Sequence, residues 1–180
     1  MGCSDLREFM AELASAGLLT RVAEPVSLVD EMTEIHRRVL AAAGPAVLFE
    51  QPVDADGRVL SYPVLVNLFG TARRVAMGLG LQEGQITELG ETLAYLRYPD
   101  PPATLRGALR RLPELRTALT MGTHRVLRPP VQQVVEPAAE LNLGTLPIQW
   151  CWPDEPAPLI SWPLGITRDP DDATDINVGV

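Results

Sequence analysis

Ala46-Val47-Leu48-Phe49, set between Pro45 and the turn residues Asp54-Ala55-Asp56-Gly57, reads as a short apolar strand, and residues 63–67, Pro63-Val64-Leu65-Val66-Asn67, read as a second strand beside it. Asn67-Leu68-Phe69-Gly70-Thr71 follows directly, and the Thr71 hydroxyl can cap a helix that carries Arg73, Arg74, Val75 and Met77. Strand, turn, strand and capped helix in immediate succession point to layers of helix on sheet, an α/β architecture, rather than a bundle or a sandwich.

Working back from that stretch, residues 30–43 carry Met32, Ile35 and Val39 at helical spacing and stop at Gly44, with His36 beside the apolar stripe. Residues 18–23 read as a short strand. Residues 5–16 read as a first helix, with Asp5 as N-cap, Glu8 in the capping-box position, Leu6, Phe9, Met10 and Leu13 as its apolar stripe, and Gly17 as its stop. Working forward, residues 86–97 and 104–119 are predicted helices, the second with Leu105, Leu109 and Leu112 on one face.

Proline usage then divides the chain. Only four of the seventeen prolines precede residue 98, and Pro99-Asp100-Pro101-Pro102 opens a second compositional regime. Beyond Pro129-Pro130, residues 131–135 and 159–167 read as short strands joined by proline-rich connections. The expected organisation is an N-terminal α/β domain over residues 1–98, a helical, proline-rich connection over 99–130, and the opening of a β domain over 131–180. Asn177-Val178-Gly179-Val180 reads as the middle of a strand, so that domain is expected to be incomplete in these residues.

Composition excludes several classes. With 180 residues, 46% hydrophobic and 21% charged, the chain can bury roughly 70% of its unfolded surface, which needs neither disulfides nor a structural metal and excludes disorder. All fifteen basic residues are arginine, so a Schiff-base lysine and a P-loop lysine are absent from this chain. The net charge is −8 and the arginines are scattered, which gives no basic stripe for nucleic acid. Cys3 and Cys151 lie far apart and the only histidines are His36 and His124, so no zinc-ligand spacing can be drawn, and a reducing, cytoplasmic location is expected. The first residues lack a basic-then-apolar leader, Leu6 stands where myristoylation needs Ser or Thr, and no run of about 18 apolar residues spans a membrane.

The remaining motifs favour structural readings. Gly78-Leu79-Gly80-Leu81-Gln82-Glu83-Gly84 has three residues where the dinucleotide fingerprint has two, and it follows a helix, so it reads as a C-cap and turn. Neither histidine adjoins a serine in sequence and no GxSxG elbow exists. His36 reads as half-buried on a helix, and His124 as a helix-end residue complementing the dipole. Asp169-Pro170-Asp171-Asp172-Ala173-Thr174-Asp175 packs four carboxylates together, yet lacks the glycine and distal glutamate of a calcium loop and reads as a solvated hairpin turn. Trp150, Trp152 and Trp162 cluster among prolines as a rigid surface or interface element, with Cys151 packed between the first two.

Several stretches in order resemble the UbiD family of non-oxidative decarboxylases: Asp5-Leu6-Arg7-Glu8-Phe9, Glu31-Met32-Thr33-Glu34-Ile35, Gly44-Pro45-Ala46-Val47-Leu48-Phe49-Glu50, and above all Val66-Asn67-Leu68-Phe69-Gly70-Thr71-Ala72-Arg73-Arg74-Val75-Ala76-Met77-Gly78. Leu146-Pro147-Ile148, Cys151-Trp152-Pro153, Ala157-Pro158-Leu159-Ile160 and Thr167-Arg168-Asp169-Pro170 continue the resemblance. It implies that the β region is the start of a flavin-reductase-like split barrel that binds prenylated FMN, a divalent metal, usually manganese, and potassium. By the family pattern Asn177 is the metal-ligating asparagine and Val180 begins the flavin contact. The glutamate-arginine-glutamate set that handles protons is expected downstream of residue 180, so no catalytic residue is assigned here. The resemblance further implies a flavin prenyltransferase as cofactor supplier and homo-oligomerisation of the full-length protein; a lipid-tailed substrate leaves a peripheral position at the membrane surface open beside the cytoplasmic location expected above.

Two functions follow as expectations. One is decarboxylation of 3-polyprenyl-4-hydroxybenzoate, or of a related aromatic or acrylic acid, in ubiquinone biosynthesis. The other is a structural or interaction module without activity of its own. Ser161-Trp162 departs from the family's usual threonine at the first of these positions, which bears on the substrate pocket more than on the reaction class.

Overall fold

The computed structural model describes residues 3–98, 126–161, 164–172 and 174–179. The chain divides into two compact units, one of residues 1–9 and 71–141 and one of residues 10–70 and 142–180. The larger unit holds a β-α-β motif. Strand β1 (Leu19–Ser27) is followed by helix α2 (Glu31–Ala41), which comes after helix α1 (Leu6–Ser15) in the chain, and then by strand β2 (Ala46–Val53). β1 and β2 are parallel: Leu19 to Val22 pair with Ala46 to Phe49, the register shifts between Val22 and Pro25, and Pro25 to Ser27 pair with Gln51 to Val53. The shift falls where Pro25 has no N–H to give the ladder. Strand β3 (Val64–Val66) adds antiparallel to β2 through Val47–Val66, Leu48–Leu65 and Phe49–Val64, giving the order β1-β2-β3.

β2 is therefore central, and its apolar run explains why: Ala46, Val47, Leu48 and Phe49 are all buried, as a strand covered on both faces requires. Val26, Leu28, Met32, Val47, Phe49 and Val66 form the core, with Ile35 and Val39 of α2 packed on it. The expected strands at 18–23 and 46–49 are both too short. Pairing skips Ala23-Glu24 and Glu50 at the register shift and resumes at Pro25 and Gln51, so both strands run on beyond the apolar pattern.

Local rules set the helix ends. Asp5 Oδ1 accepts the Glu8 N–H (2.9 Å), as the cap requires, but Glu8 reaches past Asp5 to accept the Ser4 N–H and hydroxyl, each at 2.6 Å. Those bonds from Ser4 pull the Glu8 carboxyl below its ordinary pKa. Phe9 and Leu13 are buried, whereas Leu6 is 52% exposed and leaves the expected stripe. Gly17 takes φ 69°, and the Leu18 N–H closes on the Leu13 carbonyl at 2.8 Å. α2 closes in the same way, with the Gly44 N–H on the Val39 carbonyl (2.8 Å), but its left-handed residue is Ala43 at φ 50°. Gly44 serves close approach instead: a Cβ there would lie 2.9 Å from Val39 Cγ1 and 3.1 Å from the Val39 carbonyl oxygen. Asn67, buried and left-handed at φ 56°, donates from Nδ2 to the Gly44 and Pro45 carbonyls at 3.1 and 2.8 Å, tying the end of β3 to the α2–β2 junction.

In the smaller unit, Thr71 Oγ1 accepts the Arg74 N–H (3.4 Å) at the start of helix α3 (Ala72–Gly78), within which Arg74 and Ala76 are buried. Gly80 at φ 67° and the Leu81 N–H to Ala76 carbonyl bond (2.8 Å) make the glycine-rich stretch a helix stop. Helix α4 (Ile86–Arg97) has the expected bounds and follows a 3₁₀ turn, Glu83–Gln85. The predicted helix at 104–119 and His124 lie outside the described residues. The expected strand at 131–135 is not one: Pro130–Gln132 is a 3₁₀ turn, and Val131, Val134 and Val135 are exposed without a ladder partner among the described residues. β-branched composition favours a strand only where a second strand pairs with it. No helix among the described residues is long and apolar enough to cross a membrane.

Candidate functional site

After the 3₁₀ turn Leu143–Thr145, the chain returns to the sheet of the larger unit. The Trp150 N–H donates to the Leu28 carbonyl and the Asp30 N–H to the Trp150 carbonyl, both at 3.1 Å, while the Leu28 N–H binds the Val53 carbonyl on the other side (2.8 Å). The next residues turn sharply. Asp154 is left-handed at φ 66°, and Glu155 Oε2 accepts the N–H groups of Cys151 (2.9 Å) and Trp152 (3.2 Å). The Trp-Cys-Trp segment is thus held as a structural turn, with Cys151 half-buried and Trp152 exposed; Trp162 lies outside the described residues.

Strands β4 (Gly165–Arg168) and β5 (Ile176–Gly179) follow as an antiparallel hairpin, and the strand expected at 159–167 is realised as β4 plus a bridge from Leu159 to Gln149. The register pairs Gly165 with Gly179, Ile166 with Val178, Thr167 with Asn177 and Arg168 with Ile176. Opposite residues share a face and successive residues alternate. One face therefore carries Ile166, Arg168, Ile176 and Val178, and the other carries Gly165, Thr167, Asn177 and Gly179.

The acidic connection is a turn. The Asp169 N–H bonds the Asp175 carbonyl (3.0 Å), Asp169 Oδ1 accepts the Asp171 and Asp172 N–H groups (2.7 and 2.9 Å), and Asp172 Oδ1 accepts the Thr174 hydroxyl and N–H (2.6 and 2.8 Å). The Thr174 hydroxyl, followed by its N–H, holds the Asp172 carboxyl below its ordinary pKa. These carboxylates fold the loop and do not converge on a point. Among the described residues no group of three or more His, Cys, Asp or Glu side chains is arranged to hold a metal.

Asn177 stands on the polar face, exposed, directly across the ladder from Thr167. A Cβ on Gly179 would meet nothing within 4 Å, and one on Gly165 only the Gly179 carbonyl oxygen at 3.8 Å. One amide and one hydroxyl thus sit on a flat, open stretch of backbone that a ligand can approach closely. Both offer hard oxygen donors, of the type that suits manganese or magnesium. Val180, the expected flavin contact, lies outside the described residues. His36 is half-buried on α2, where burial lowers its pKa. Thr167 is the polar partner that residue-by-residue reading misses; the signal for it is the alternation Gly165-x-Thr167 against Asn177-x-Gly179.

A parallel β-α-β unit extended by an antiparallel strand and followed by a hairpin with one small polar face defines a mixed α/β protein with small sheets. The chain belongs to the UbiD family: residues 10–93 match the 3-octaprenyl-4-hydroxybenzoate carboxy-lyase N-terminal domain, and residues 124–180 match the Rift-related domain of the same carboxy-lyase. Its fold is similar to that of an evolved dimeric form of the UbiD-class enzyme HmfF from Pelotomaculum thermopropionicum in complex with prFMN, with a TM-score of 0.65 and 22% identity over 98% of this chain and 35% of that one. HmfF in complex with FMN gives 0.63 and 23% over 96% and 32%. Vanillic acid decarboxylase from Sedimentibacter hydroxybenzoicus, in open form, matches 54% of this chain and 20% of its own at 28% identity and a TM-score of 0.42. The chain thus spans about a third of the length of HmfF.

Proposed function

We propose that the protein is a non-oxidative carboxy-lyase that uses prenylated FMN to remove the carboxylate of 3-polyprenyl-4-hydroxybenzoate, or of a related aromatic or acrylic acid, in the cytoplasmic ubiquinone pathway. In this reading residues 1–98 are the N-terminal α/β domain, residues 99–130 the connection, and residues 131–180 the start of a flavin-reductase-like split barrel whose early strands include β4 and β5. The observation that carries the reading is the open polar face of the hairpin, bearing Asn177, inside the segment that matches the carboxy-lyase's Rift-related domain.

The donor set fits the cofactor assembly. The Asn177 side-chain oxygen is a neutral, hard ligand for manganese, and the glycines beside it leave room for a phosphate or a planar ring to reach the backbone. Val180 then begins the flavin contact, with potassium as the accompanying cation. When bound, the modified flavin supplies the electron sink that loss of carbon dioxide needs. The task of this chain's own residues is to hold and orient that assembly. Glu155 is occupied in folding its own turn and is not assigned to proton transfer, for which the glutamate-arginine-glutamate set expected downstream is reserved. A flavin prenyltransferase supplies the cofactor, and the whole protein assembles as a homo-oligomer.

The test is a substrate panel. The whole protein, co-expressed with a flavin prenyltransferase and manganese, is incubated with 3-prenylated 4-hydroxybenzoates and with aryl acrylic acids, and loss of the carboxylate is followed by chromatography. Decarboxylation of the phenolic acids is expected. Cofactor-loaded protein that leaves the whole panel untouched would overturn the proposal and favour a module without activity.

A further inference from the structure

We propose that Thr167 is a positioning residue for Asn177: its hydroxyl accepts the Asn177 amide N–H and so turns the amide oxygen outward, toward a divalent cation. This deepens the reading of Asn177 as a cation ligand and rests on it. An asparagine amide presents an oxygen or an NH2 group according to a half-turn about its last bond, and only the oxygen can bind a cation. Something must select that half-turn, and metal sites do so with a hydrogen bond to the atom of the ligand that faces away from the metal.

The hairpin narrows the choice to one residue. Thr167 is directly opposite Asn177 in the register, where Cβ atoms of paired strands are about 4.5–5.5 Å apart, within reach of a hydroxyl-to-amide bond. The other residues of the same face are Gly165 and Gly179, which have no side chain to offer, and Ile166, Arg168, Ile176 and Val178 project from the opposite face. Neither the Thr167 nor the Asn177 side chain makes a hydrogen bond in the structure, to the other or elsewhere among the described residues, so both are free to form this one when a cation draws the amide oxygen outward. Threonine suits the role because its branched Cβ restricts χ1, which fixes the hydroxyl relative to the strand. A hydroxyl can also accept from the amide and still donate to solvent or to an anion.

The test measures Mn2+ affinity, by electron paramagnetic resonance of the free ion, on metal-stripped whole protein with FMN added. Wild type is compared with Thr167→Val, Thr167→Ser and Asn177→Ala. Valine keeps the shape and strand preference of threonine, so the fold is retained and only the hydroxyl is lost. The expected result is loss of binding in Asn177→Ala, weakening of about tenfold or more in Thr167→Val, and near wild-type affinity in Thr167→Ser. If Thr167→Val binds Mn2+ as wild type does while Asn177→Ala does not, the positioning role is overturned and the ligand role of Asn177 stands. Equal weakening in the valine and serine variants overturns it as well, since the hydroxyl would not be what matters. Wild-type affinity in Asn177→Ala, or no Mn2+ binding by the wild type, removes the underlying reading and the proposal with it.

Discussion

Ala43 and Gly44 are neighbours with opposite demands. Ala43 sits at φ 50°, where an L side chain is strained, so Ala43→Gly should raise stability by about 0.5 kcal/mol in urea unfolding, the relief of strain exceeding the added freedom of the unfolded chain. Gly44→Ala should cost about 1–3 kcal/mol in the same experiment, because its Cβ would fall 2.9 Å from Val39 Cγ1 and 3.1 Å from the Val39 carbonyl oxygen. Glycine at this helix end is legible in the sequence, but the reason for it is not: the left-handed position falls one residue earlier, and only the packed helix reveals the close contact. Glu34 gives a prediction in pH. Side-chain hydrogen bonds from Arg37, and then from Arg38, lower its pKa from 4.5 to about 2. A carboxyl lowered on folding contributes stability above its unfolded pKa, and that contribution disappears as pH falls through the folded value. The stability difference between wild type and Glu34→Gln should therefore be present at neutral pH, fade between about pH 4.5 and 2, and shrink in high salt, since both partners are exposed.

At the scale of elements, the helices were the easier part to read because their signals are local. Thr71 caps α3 as its sequence position implies, and Thr71→Ala should cost about 1 kcal/mol of stability by denaturant titration. α4 matches its periodic pattern end to end. Strands depend on partners that sequence does not display. β1 runs on through Glu24-Pro25 because β2 lies beside it, whereas Val131 to Val135, with a stronger strand composition, pair with nothing among the described residues. β2 carries the most weight in the sheet: Phe49 is fully buried, and Phe49→Ala should lower unfolding stability by about 3–5 kcal/mol. In the hairpin, the proposed role of Asn177 comes from family resemblance, and its pairing with Thr167 depends on the β4–β5 register, which no local signal in the sequence displays.

For the whole molecule, the two faces of that hairpin differ in chemistry. Thr167 and Asn177 lie on the small polar face with two glycines, while Ile166, Ile176 and Val178 on the other remain 70%, 49% and 60% exposed among the described residues. Three apolar side chains beside the single charge of Arg168 make this the face suited to packing, in keeping with the proposed split barrel. Whether this polar face holds a flavin and metal assembly is decided by the flavin absorbance and manganese content of the whole protein after co-expression with a flavin prenyltransferase. Stoichiometric flavin and manganese are expected in the wild type, with loss of the manganese in Asn177→Ala. A colourless, metal-free wild-type protein, or full manganese occupancy in Asn177→Ala, would contradict this reading.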